Sequence, residues 1–578
     1  MVSYTDLLEQ ILDAFPPRSV AVFLPFAVGE REASAILEQG IATSVTINLE
    51  NGCLPTWSRD GFHDDIFSLK RLPASALFLD HQLRLPVAWY ARLVRRGVRR
   101  LHIIGPDGRA KGVNAIGYLR RKAVRRAVRT YLRAHGRASD HLYQRVFSEI
   151  IKRLSFLAIE RSAFMQDRVV LAIGTLGPGG AERQVKYTAI GLQRSGTFVP
   201  TVLCQQSLDA HVSNFFGPQL TAAGVEVRTA RGDPALTDDW RVQSLKQDMR
   251  ERYDYLGVEI LLEQILALVS ELRRVRPAIL HSWLDATNSI SAVAARIVGV
   301  PHLLLGGRSM APDNFALLTP HMRAAYRTAL ADPDTSLLNN SSAGADDYAR
   351  WLSVPRQRIQ VIPNGFEFPD PPTEADLARA RSAAGIPHGA FVIGGLQRFS
   401  EEKRPELWVA AAMDIVRREK RAVALCYGAG PMHAELKAMV EKAGLADRIF
   451  LPGLTGDAWE ALRCFDVFLL TSRQEGLPNV LIEAQAMGVP VVAPPVGGVP
   501  ETLEDGVTGI LVPKADAASL AAAILSLASD PARHAAMARA ASRHVRNSFG
   551  MDVMLQRTLA AYARQPVWPM AVERIPHD

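Results

Sequence analysis

The sequence contains few cysteines and no long apolar run. Its four cysteines lie far apart and form no C-x-x-C pair, which argues against a disulfide scaffold and against a zinc knuckle. No stretch approaches the roughly 20 uninterrupted apolar residues that are needed to span a bilayer. The opening residues, MVSYTDLLEQ, also lack the basic-then-apolar pattern of an export signal. These absences predict a chain that stays in the reducing environment of the cytoplasm.

The composition excludes other classes of protein. Hydrophobic residues make up 48% of the 578 positions and charged residues 22%, which is ordinary for globular proteins and unlike collagen-like or disordered chains. At about 150 residues per domain, the length predicts three or four domains. The sequence has no G-x-S-x-G elbow and no Cys/His arrangement that stands out, so a hydrolase is disfavoured.

Acidic residues are almost absent from one segment. Residues 91–137 contain fifteen basic residues against the single acid Asp107, in a chain of net charge +8. Within this segment, 115–134 has the pattern of a basic amphipathic helix. Such a helix suits an anionic membrane surface, where each cation contributes about 1 kcal/mol. The candidate membrane-binding residues are Arg120, Arg121, Lys122, Arg125 and Arg126.

The basic segment has two other interpretations, a nucleic-acid-binding segment and a solvated helix. Nucleic acid is not the expected partner, because aromatic residues that stack on bases are sparse, with only Tyr118 and Tyr131 interleaved. The remaining alternative is a solvated helix that packs on its neighbours.

Short apolar runs alternate with helical patterns from about Asp167 onward, which is typical of βαβ units and a parallel sheet. The first series of predicted strands is 169–173, 201–205, 278–282, 302–306, 336–340 and 359–362. The second series, after the break at Pro363-Asn364-Gly365, is 391–396, 422–427, 448–452, 466–470, 490–494 and 509–513. Helices are predicted near 515–530, 532–546 and 551–564.

The predicted fold class is α/β, with two doubly wound Rossmann-like domains and an amino-terminal α/β extension. The extension comprises residues 1–165, with predicted strands at 19–24, 44–49, 76–80 and 100–105. The first Rossmann-like domain is assigned to 166–366 and the second to 367–548. Residues 549–578 form a carboxyl-terminal helix and tail.

The strongest candidate site lies at 473–488, in the segment R-Q-E-G-L-P-N-V-L-I-E-A-Q-A-M-G. Gly476 and Pro478 open a helix whose first amides lack internal partners and favour an anionic phosphate. Glu475 precedes this helix and Glu483 lies within it, and carboxylates accept hydrogen bonds from sugar hydroxyls. The alternative is that the helix dipole and the solvent account for both glutamates.

A second candidate site, at 394–405, supplies positive charge. Arg398 and Lys403 follow the carboxyl end of a predicted strand, where ligands of open parallel sheets bind. Cations placed there can stabilise a departing diphosphate without a metal. The alternative is a solvated loop in which Glu401 and Glu402 are the ion-pair partners.

The segment 174–184, G-T-L-G-P-G-G-A-E-R-Q, is a third candidate. Its glycines at 177, 179 and 180 permit a ligand to approach the backbone closely. It matches neither the P-loop nor the G-x-G-x-x-G fingerprint, so a plain strand-to-helix turn is an equal alternative.

Taken together, six motifs resemble those of the retaining family 4 glycosyltransferases, which have the GT-B fold. They are G-G-A-E-R-Q, I-P-N-G, R-x4-K, G-A-G-P, E-G-L-P-N-V-x2-E and G-G-V-P-E, in the family's order over about 168–565. The resemblance implies two Rossmann domains that face a cleft and a sugar nucleotide held mainly by the second domain. It also implies that there is no cofactor and no obligatory metal.

The resemblance further implies roles for single residues. The expected catalytic residues are Arg398, Lys403 and Glu475. The expected donor-binding residues are Gly179, Gly180, Leu477, Pro478, Asn479 and Glu483. Glu475 would contact the hydroxyls of the donor hexose and Glu483 those of the ribose. Arg398 and Lys403 would hold the diphosphate, and the two glycines would border the donor from the opposite domain.

One departure from the family pattern concerns a histidine. Many members carry H-x-H after the fourth strand of the first domain, whereas this chain has His281-Ser282-Trp283. His281 is either an active-site residue or a buried histidine that satisfies a backbone group. Trp283 and Asp285 are the other candidates for the acceptor side.

A metal site is not expected. Asp332-Pro333-Asp334 has the D-x-D form that holds divalent cations in another transferase fold. A proline-centred pair before a strand is nevertheless typical of a turn.

The expected function is transfer of a sugar, with retention of configuration, from a nucleoside diphosphate sugar to a glycan or lipid-linked acceptor. Synthesis of a cell-surface polysaccharide, in the cytoplasm and at the inner face of the cell membrane, is the expected setting. Two alternatives stay open at this point, because a fold does not determine a function. They are a sugar-nucleotide epimerase of the same architecture and a non-catalytic glycan- or membrane-binding scaffold.

Overall fold

A computed structural model of the protein describes residues 136–253, 256–315 and 319–565, and seven strands closer to the amino terminus. The predicted basic helix at 115–134 lies outside the described residues, and so do its five candidate membrane-binding residues.

The seven amino-terminal strands form one mixed sheet. They are Val20–Leu24 (β1), Ser44–Ile47 (β2), Thr56–Ser58 (β3), Gly61–His63 (β4), Ser75–Phe78 (β5), Arg100–Ile104 (β6) and Ala110–Asn114 (β7). The order is β4-β3-β2-β1-β5-β6-β7. The four strands β2, β1, β5 and β6 run parallel to one another, and the outer strands β4, β3 and β7 pair antiparallel with the strands beside them. The four parallel strands are the four that the sequence predicts.

A second sheet contains seven parallel strands. They are Met165–Ile173 (β8), Val199–Cys204 (β9), Glu226–Thr229 (β10), Pro277–Trp283 (β11), His302–Gly306 (β12), Thr335–Asn339 (β13) and Ile359–Val361 (β14). The described helices between and beside them are Gly136–Arg153 (α1), Gly180–Ser195 (α2), Gly217–Ala222 (α3), Pro234–Thr237 (α4), Trp240–Tyr253 (α5), Val258–Val275 (α6), Asp285–Val298 (α7), Met322–Leu330 (α8) and Ser342–Leu352 (α9). All six predicted strands are present, and β10 is the one that the sequence analysis missed.

A third sheet contains six parallel strands. They are Phe391–Leu396 (β15), Ala422–Tyr427 (β16), Ile449–Gly453 (β17), Val467–Leu469 (β18), Val491–Ala493 (β19) and Gly509–Leu511 (β20). Its described helices are Glu374–Ala383 (α10), Pro405–Arg418 (α11), His433–Lys442 (α12), Ala458–Arg463 (α13), Asn479–Ala486 (α14), Ala517–Ala528 (α15) and Pro531–Ser548 (α16). Each strand predicted in the second series coincides with one of these six within two residues.

Burial on both faces explains why these strands are continuous apolar runs. In β8 the last five residues, Val169 to Ile173, are fully buried, as is typical of a parallel strand covered by helices on both sides. The polar residues of β8, Gln166 to Arg168, precede this run and are exposed or half-exposed.

The last described helix, Met551–Tyr562 (α17), packs on the first Rossmann-like domain although it follows the second in sequence. Met554, Ala561 and Tyr562 belong to the apolar core built around β8 and β9. A backbone bridge between Phe366 and Gly550 holds the crossing point. The carboxyl-terminal helix thus completes the first domain. No described helix is long and apolar enough to cross a membrane.

Strand order determines where a ligand can bind. The second sheet runs β10-β9-β8-β11-β12-β13-β14 and the third runs β17-β16-β15-β18-β19-β20. The direction of winding reverses between β8 and β11 and between β15 and β18. Ligands of such sheets bind at the carboxyl ends of the strands at these reversal points.

Candidate active-site cleft

The reversal point of the second domain brings together two predicted catalytic residues. Lys403 follows β15 and Glu475 follows β18, and the Lys403 Nζ lies 2.6 Å from the Glu475 Oε1. The lysine side chain is 21% exposed and that of the glutamate 11%, so the pair is largely shielded from solvent. The two residues were predicted from separate motifs, and in the structure they form one ion pair.

Hydrogen bonds from side chains to backbone carbonyls hold this pair in place. The Thr471 hydroxyl donates to the carbonyl oxygens of Lys403 and Arg404, at 2.9 and 3.0 Å. The Arg404 Nε donates in return to the Thr471 carbonyl at 2.7 Å. Arg404 itself has a φ of 47°, in a region that non-glycine residues adopt only when the surroundings compel it. The loop after β15 is therefore positioned by the strand beside it.

Arg398 is placed differently from Lys403. Its side chain is 76% exposed, and its Nη2 lies 3.2 Å from the Glu402 Oε1. This contact is the ion pair within the loop that was the alternative to a diphosphate-binding role for Arg398. A role for Arg398 at a diphosphate stays a prediction.

The helix α14 begins beside the Lys403–Glu475 pair. Its N-cap is Pro478, which makes no side-chain capping bond, so the first amides remain without a side-chain acceptor. The Asn479 Oδ1 accepts a hydrogen bond of 2.6 Å from the Asn364 Nδ2 of the domain junction. The predicted phosphate-binding residues Leu477, Pro478 and Asn479 thus lie where the second domain meets the first.

Gly476 contacts the backbone of the first domain. A Cβ added at Gly476 would lie 2.6 Å from the Ser309 Cα and 3.0 Å from the Arg308 carbonyl oxygen. Real Cβ atoms do not approach backbone so closely, so the loop before α14 fits against β12's carboxyl end only with glycine here. The loop after β18 thus packs against the loop after β12.

Glu483 forms an interdomain ion pair. The Arg183 Nη2 of α2 lies 2.5 Å from the Glu483 Oε1, and the glutamate is 9% exposed. The role predicted for Glu483 was contact with ribose hydroxyls. In this structure its carboxylate is satisfied by Arg183, whose motif the sequence analysis quoted without giving the arginine a role.

The glycine loop after β8 borders the same region. A Cβ at Gly180 would lie 2.9 Å from the Asn479 Nδ2, so α2 begins directly opposite the start of α14. Gly179 is the N-cap of α2 in an extended conformation, and a Cβ there would collide with the Glu182 carboxylate. Both predicted donor-bordering glycines therefore lie at the cleft.

His281 and Trp283 are buried in the first domain. Each is 1% exposed, and the His281 Nδ1 lies 3.0 Å from the Tyr562 hydroxyl of α17. Burial, with Arg308 and His302 nearby, holds the pKa of His281 well below its usual value, so the ring is neutral. His281 is thus a buried, neutral histidine held by Tyr562, while its Nε2 and the Trp283 Nε1 have no hydrogen-bond partner among the described residues. Roles for His281 and Trp283 on the acceptor side stay predictions.

The Asp285 carboxylate is hydrogen-bonded to two tyrosines. Its Oδ1 accepts hydrogen bonds from the Tyr348 hydroxyl at 2.6 Å and the Tyr326 hydroxyl at 2.8 Å. Burial raises the pKa of the Asp285 carboxyl, and the two hydroxyls oppose that effect. Asp285, the first residue of α7, thereby links that helix to α8 and α9, and a role at an acceptor stays a prediction.

Known families match both domains. Residues 178–368 match the family described as Glycosyltransferase Family 4, and residues 389–530 match Glycosyl transferases group 1. Among solved structures, Anabaena HepE in complex with UDP-glucose is 20% identical, with a TM-score of 0.55 over 69% of this chain and 99% of that one. The two domains have the GT-B fold, and each matches a glycosyltransferase family model.

The chain is also similar to two kinds of curated protein. The Vi polysaccharide biosynthesis protein VipC/TviE of Salmonella typhi is 31% identical over 369 residues, which is 61% of this chain and 63% of that protein. The chain thus spans less than two thirds of that relative. The D-inositol 3-phosphate glycosyltransferase of Arthrobacter sp. strain FB24 is 29% identical over 370 residues, which is 59% of this chain and 86% of that protein.

The Asp332-Pro333-Asp334 segment forms a turn in the GT-B domains. The Asp334 amide donates to the Asp332 Oδ1 at 3.0 Å. Arg296 pairs with Asp332, and Arg564 pairs with Asp334 at 2.5 Å. These carboxylates are therefore neutralised by arginines. Within the described part of the chain, no group of three or more His, Cys, Asp or Glu residues is arranged to hold a metal.

Sequence reasoning missed a further contact between the GT-B domains. The Glu501 carboxylate of the second domain accepts hydrogen bonds from the amides of Ser342 and Ala343, at 2.6 and 2.8 Å. These amides open α9 in the first domain, where a negative charge is stabilising. The G-G-V-P-E motif contains Glu501, so the residue was visible, but its partner lies 159 residues away.

Proposed function

We propose that this protein transfers a hexose from a nucleoside diphosphate sugar to a glycan or lipid-linked acceptor, with retention of configuration. The observation that supports this most is the shielded Lys403–Glu475 pair at the reversal point of the second domain, beside the uncapped start of α14. A cation, a sugar-binding carboxylate and free amides are the three groups that a nucleotide sugar requires at one place.

In the proposed mechanism the cations bind the departing diphosphate and the carboxylate binds the hexose. With donor bound, a phosphate oxygen replaces Glu475 as the partner of Lys403, and the freed carboxylate accepts hydrogen bonds from hexose hydroxyls. Arg398 turns from Glu402 toward the diphosphate. Both cations then stabilise the charge that develops as the glycosidic bond breaks. The acceptor hydroxyl attacks the same face of the sugar and gives its proton to the departing diphosphate. No protein nucleophile, cofactor or obligatory metal takes part.

The biological setting of the proposal is synthesis of a cell-surface polysaccharide. It is supported by the name of the Salmonella typhi relative, a Vi polysaccharide biosynthesis protein. Solved structures of the same fold hold UDP and UDP-glucose, which supports a nucleoside diphosphate sugar as donor.

A two-step experiment tests the proposed function. In a thermal-shift panel of nucleoside diphosphates and their sugars, one nucleotide class is expected to raise the Tm, because a ligand that binds only the folded state stabilises it by mass action. That donor is then incubated with and without acceptor glycan, and the products are analysed by NMR. Transfer with the anomeric configuration of the donor supports the proposal. An isomerised sugar without acceptor indicates an epimerase, and absence of both binding and turnover indicates a scaffold.

Association with the inner face of the cell membrane is a separate prediction, based on the basic segment 115–134. The purified protein is expected to pellet with vesicles that contain anionic lipid and to be released by salt, because screening weakens such attraction. Neutralisation of the five candidate residues should abolish pelleting. Unchanged pelleting of that variant would contradict the prediction.

A further inference from the structure

Arg308 is a half-buried cation that has no acidic partner among the described residues. It lies two residues beyond β12, and burial lowers the pKa of its guanidinium to about 9. Its Nε is buried and has no hydrogen-bond partner among the described residues. Its Nη1 makes one long contact, 3.4 Å, to the Asn364 Oδ1. A buried N–H group without an acceptor is costly, so the Arg308 guanidinium is suited to donate to an anion.

The guanidinium of Arg308 is held on an aromatic ring. Its Cζ lies 3.6 Å from the ring centroid of Trp283, the residue that stands where many family members carry the second histidine of H-x-H. Stacking leaves the edges of a guanidinium, where all of its N–H groups lie, free to donate. Stacking on the Trp283 ring therefore fixes the plane of the Arg308 guanidinium.

The position of Arg308 relates it to the donor side of the cleft. Asn364, its only described side-chain hydrogen-bond partner, also donates to Asn479 at the start of α14. The Arg308 carbonyl lies against Gly476 of the loop that carries Glu475. Arg308 thus approaches from the first domain the region where the second domain presents Lys403 and the free amides.

We propose that Arg308, stacked on Trp283, binds an oxyanion of the nucleotide-sugar donor from the first domain. This inference rests on the proposed function and adds a cation that neither the motifs nor the family pattern assigned. A guanidinium fork matches a phosphate and a carboxylate equally well. The oxyanion is therefore either an oxygen of the diphosphate or a carboxylate on the transferred sugar.

A purely structural role for Arg308 makes a different prediction. If Arg308 only joined Trp283 to Asn364, its replacement would lower the Tm and leave the relative affinity for charged and uncharged ligands unchanged. If it binds a donor oxyanion, replacement changes that relative affinity.

The experiment compares Arg308→Gln with Arg274→Gln, a control on the same domain whose side chain is 61% exposed. Dissociation constants are measured by calorimetry for uridine, UDP, UDP-glucose and UDP-glucuronic acid, or for the guanosine series if that is what the wild-type protein binds. Loss of a hydrogen bond to a charged group is expected to weaken affinity by roughly 10- to 100-fold. Uridine binding should not change. Arg308→Lys, which keeps the charge without the fork, should fall between.

The pattern across ligands identifies the source of the oxyanion. Equal weakening of UDP, UDP-glucose and UDP-glucuronic acid supports the diphosphate. Weakening of UDP-glucuronic acid alone supports a sugar carboxylate. The inference is overturned if both Arg308 variants bind every nucleotide as Arg274→Gln does, including the case in which their Tm is lowered. If the wild-type protein binds no nucleotide at all, the proposed function fails instead.

Discussion

Replacement of Lys403 with alanine is expected to lower turnover at saturating donor by about 100-fold or more, the loss typical for a preorganised group that stabilises transition-state charge. The reason is that Lys403 is already fixed at the cleft, 2.6 Å from Glu475, before any donor binds. Arg398→Ala is expected to lower turnover by a similar factor, about 100-fold. The measurement is kcat with the donor that the thermal-shift panel identifies.

Lys514→Ala is the matched control, because Lys514 lies in the same domain with its side chain 83% exposed and paired with Asp516. It should leave turnover unchanged. Since Lys403 and Glu475 are in contact, the effects of Lys403→Ala and Glu475→Gln should not add in the double variant. Near wild-type kcat in Lys403→Ala or in Arg398→Ala would contradict the assignment of that cation.

Replacement of Gly476 with alanine is expected to lower kcat/KM by about 100-fold, because a displacement of about 1 Å in an active site can cost that factor. The added methyl would meet the Ser309 Cα at 2.6 Å, and backbone cannot rotate away as a side chain can. The loop that carries Glu475 must therefore shift away from the first domain. The measurement is kcat/KM together with Tm.

Gly456→Ala serves as the control for Gly476→Ala. A Cβ at Gly456 meets nothing within 4 Å, and its φ does not require glycine, so activity and Tm should stay at the wild-type values. Activity of Gly476→Ala at the wild-type level would show that contact between this loop and Ser309 is not needed for catalysis. Loss of the folded state in Gly476→Ala, seen as a Tm lowered far below that of Gly456→Ala, would indicate a structural role instead.

Most of the fold could be predicted from the sequence because its strands are buried on both faces. The runs 391–396 and 422–427 coincide with β15 and β16, since a parallel strand under two layers of helix must be apolar throughout. The edge strand β10, Glu226–Thr229, alternates charged and uncharged residues and is mostly half-exposed. It therefore lacks the apolar run by which the others were found.

The sequence could predict a site residue where its role follows from the motif around it. It could not predict contacts between residues that lie far apart in the chain. Glu475 and Lys403 were selected from their own loops, but their contact depends on β15 and β18 being neighbours. The pairing of Arg183 with Glu483 joins residues 300 positions apart. Arg308 has no motif around it, and its unpartnered Nε becomes visible only when its surroundings are known.

A structure of the protein crystallised with its donor nucleoside diphosphate tests the central claim most directly. The account predicts a pyrophosphate between the start of α14 and Lys403, with the Lys403 Nζ on a phosphate oxygen and Glu475 released from the lysine. A nucleotide bound elsewhere, with the Lys403–Glu475 pair intact at 2.6 Å, would contradict it.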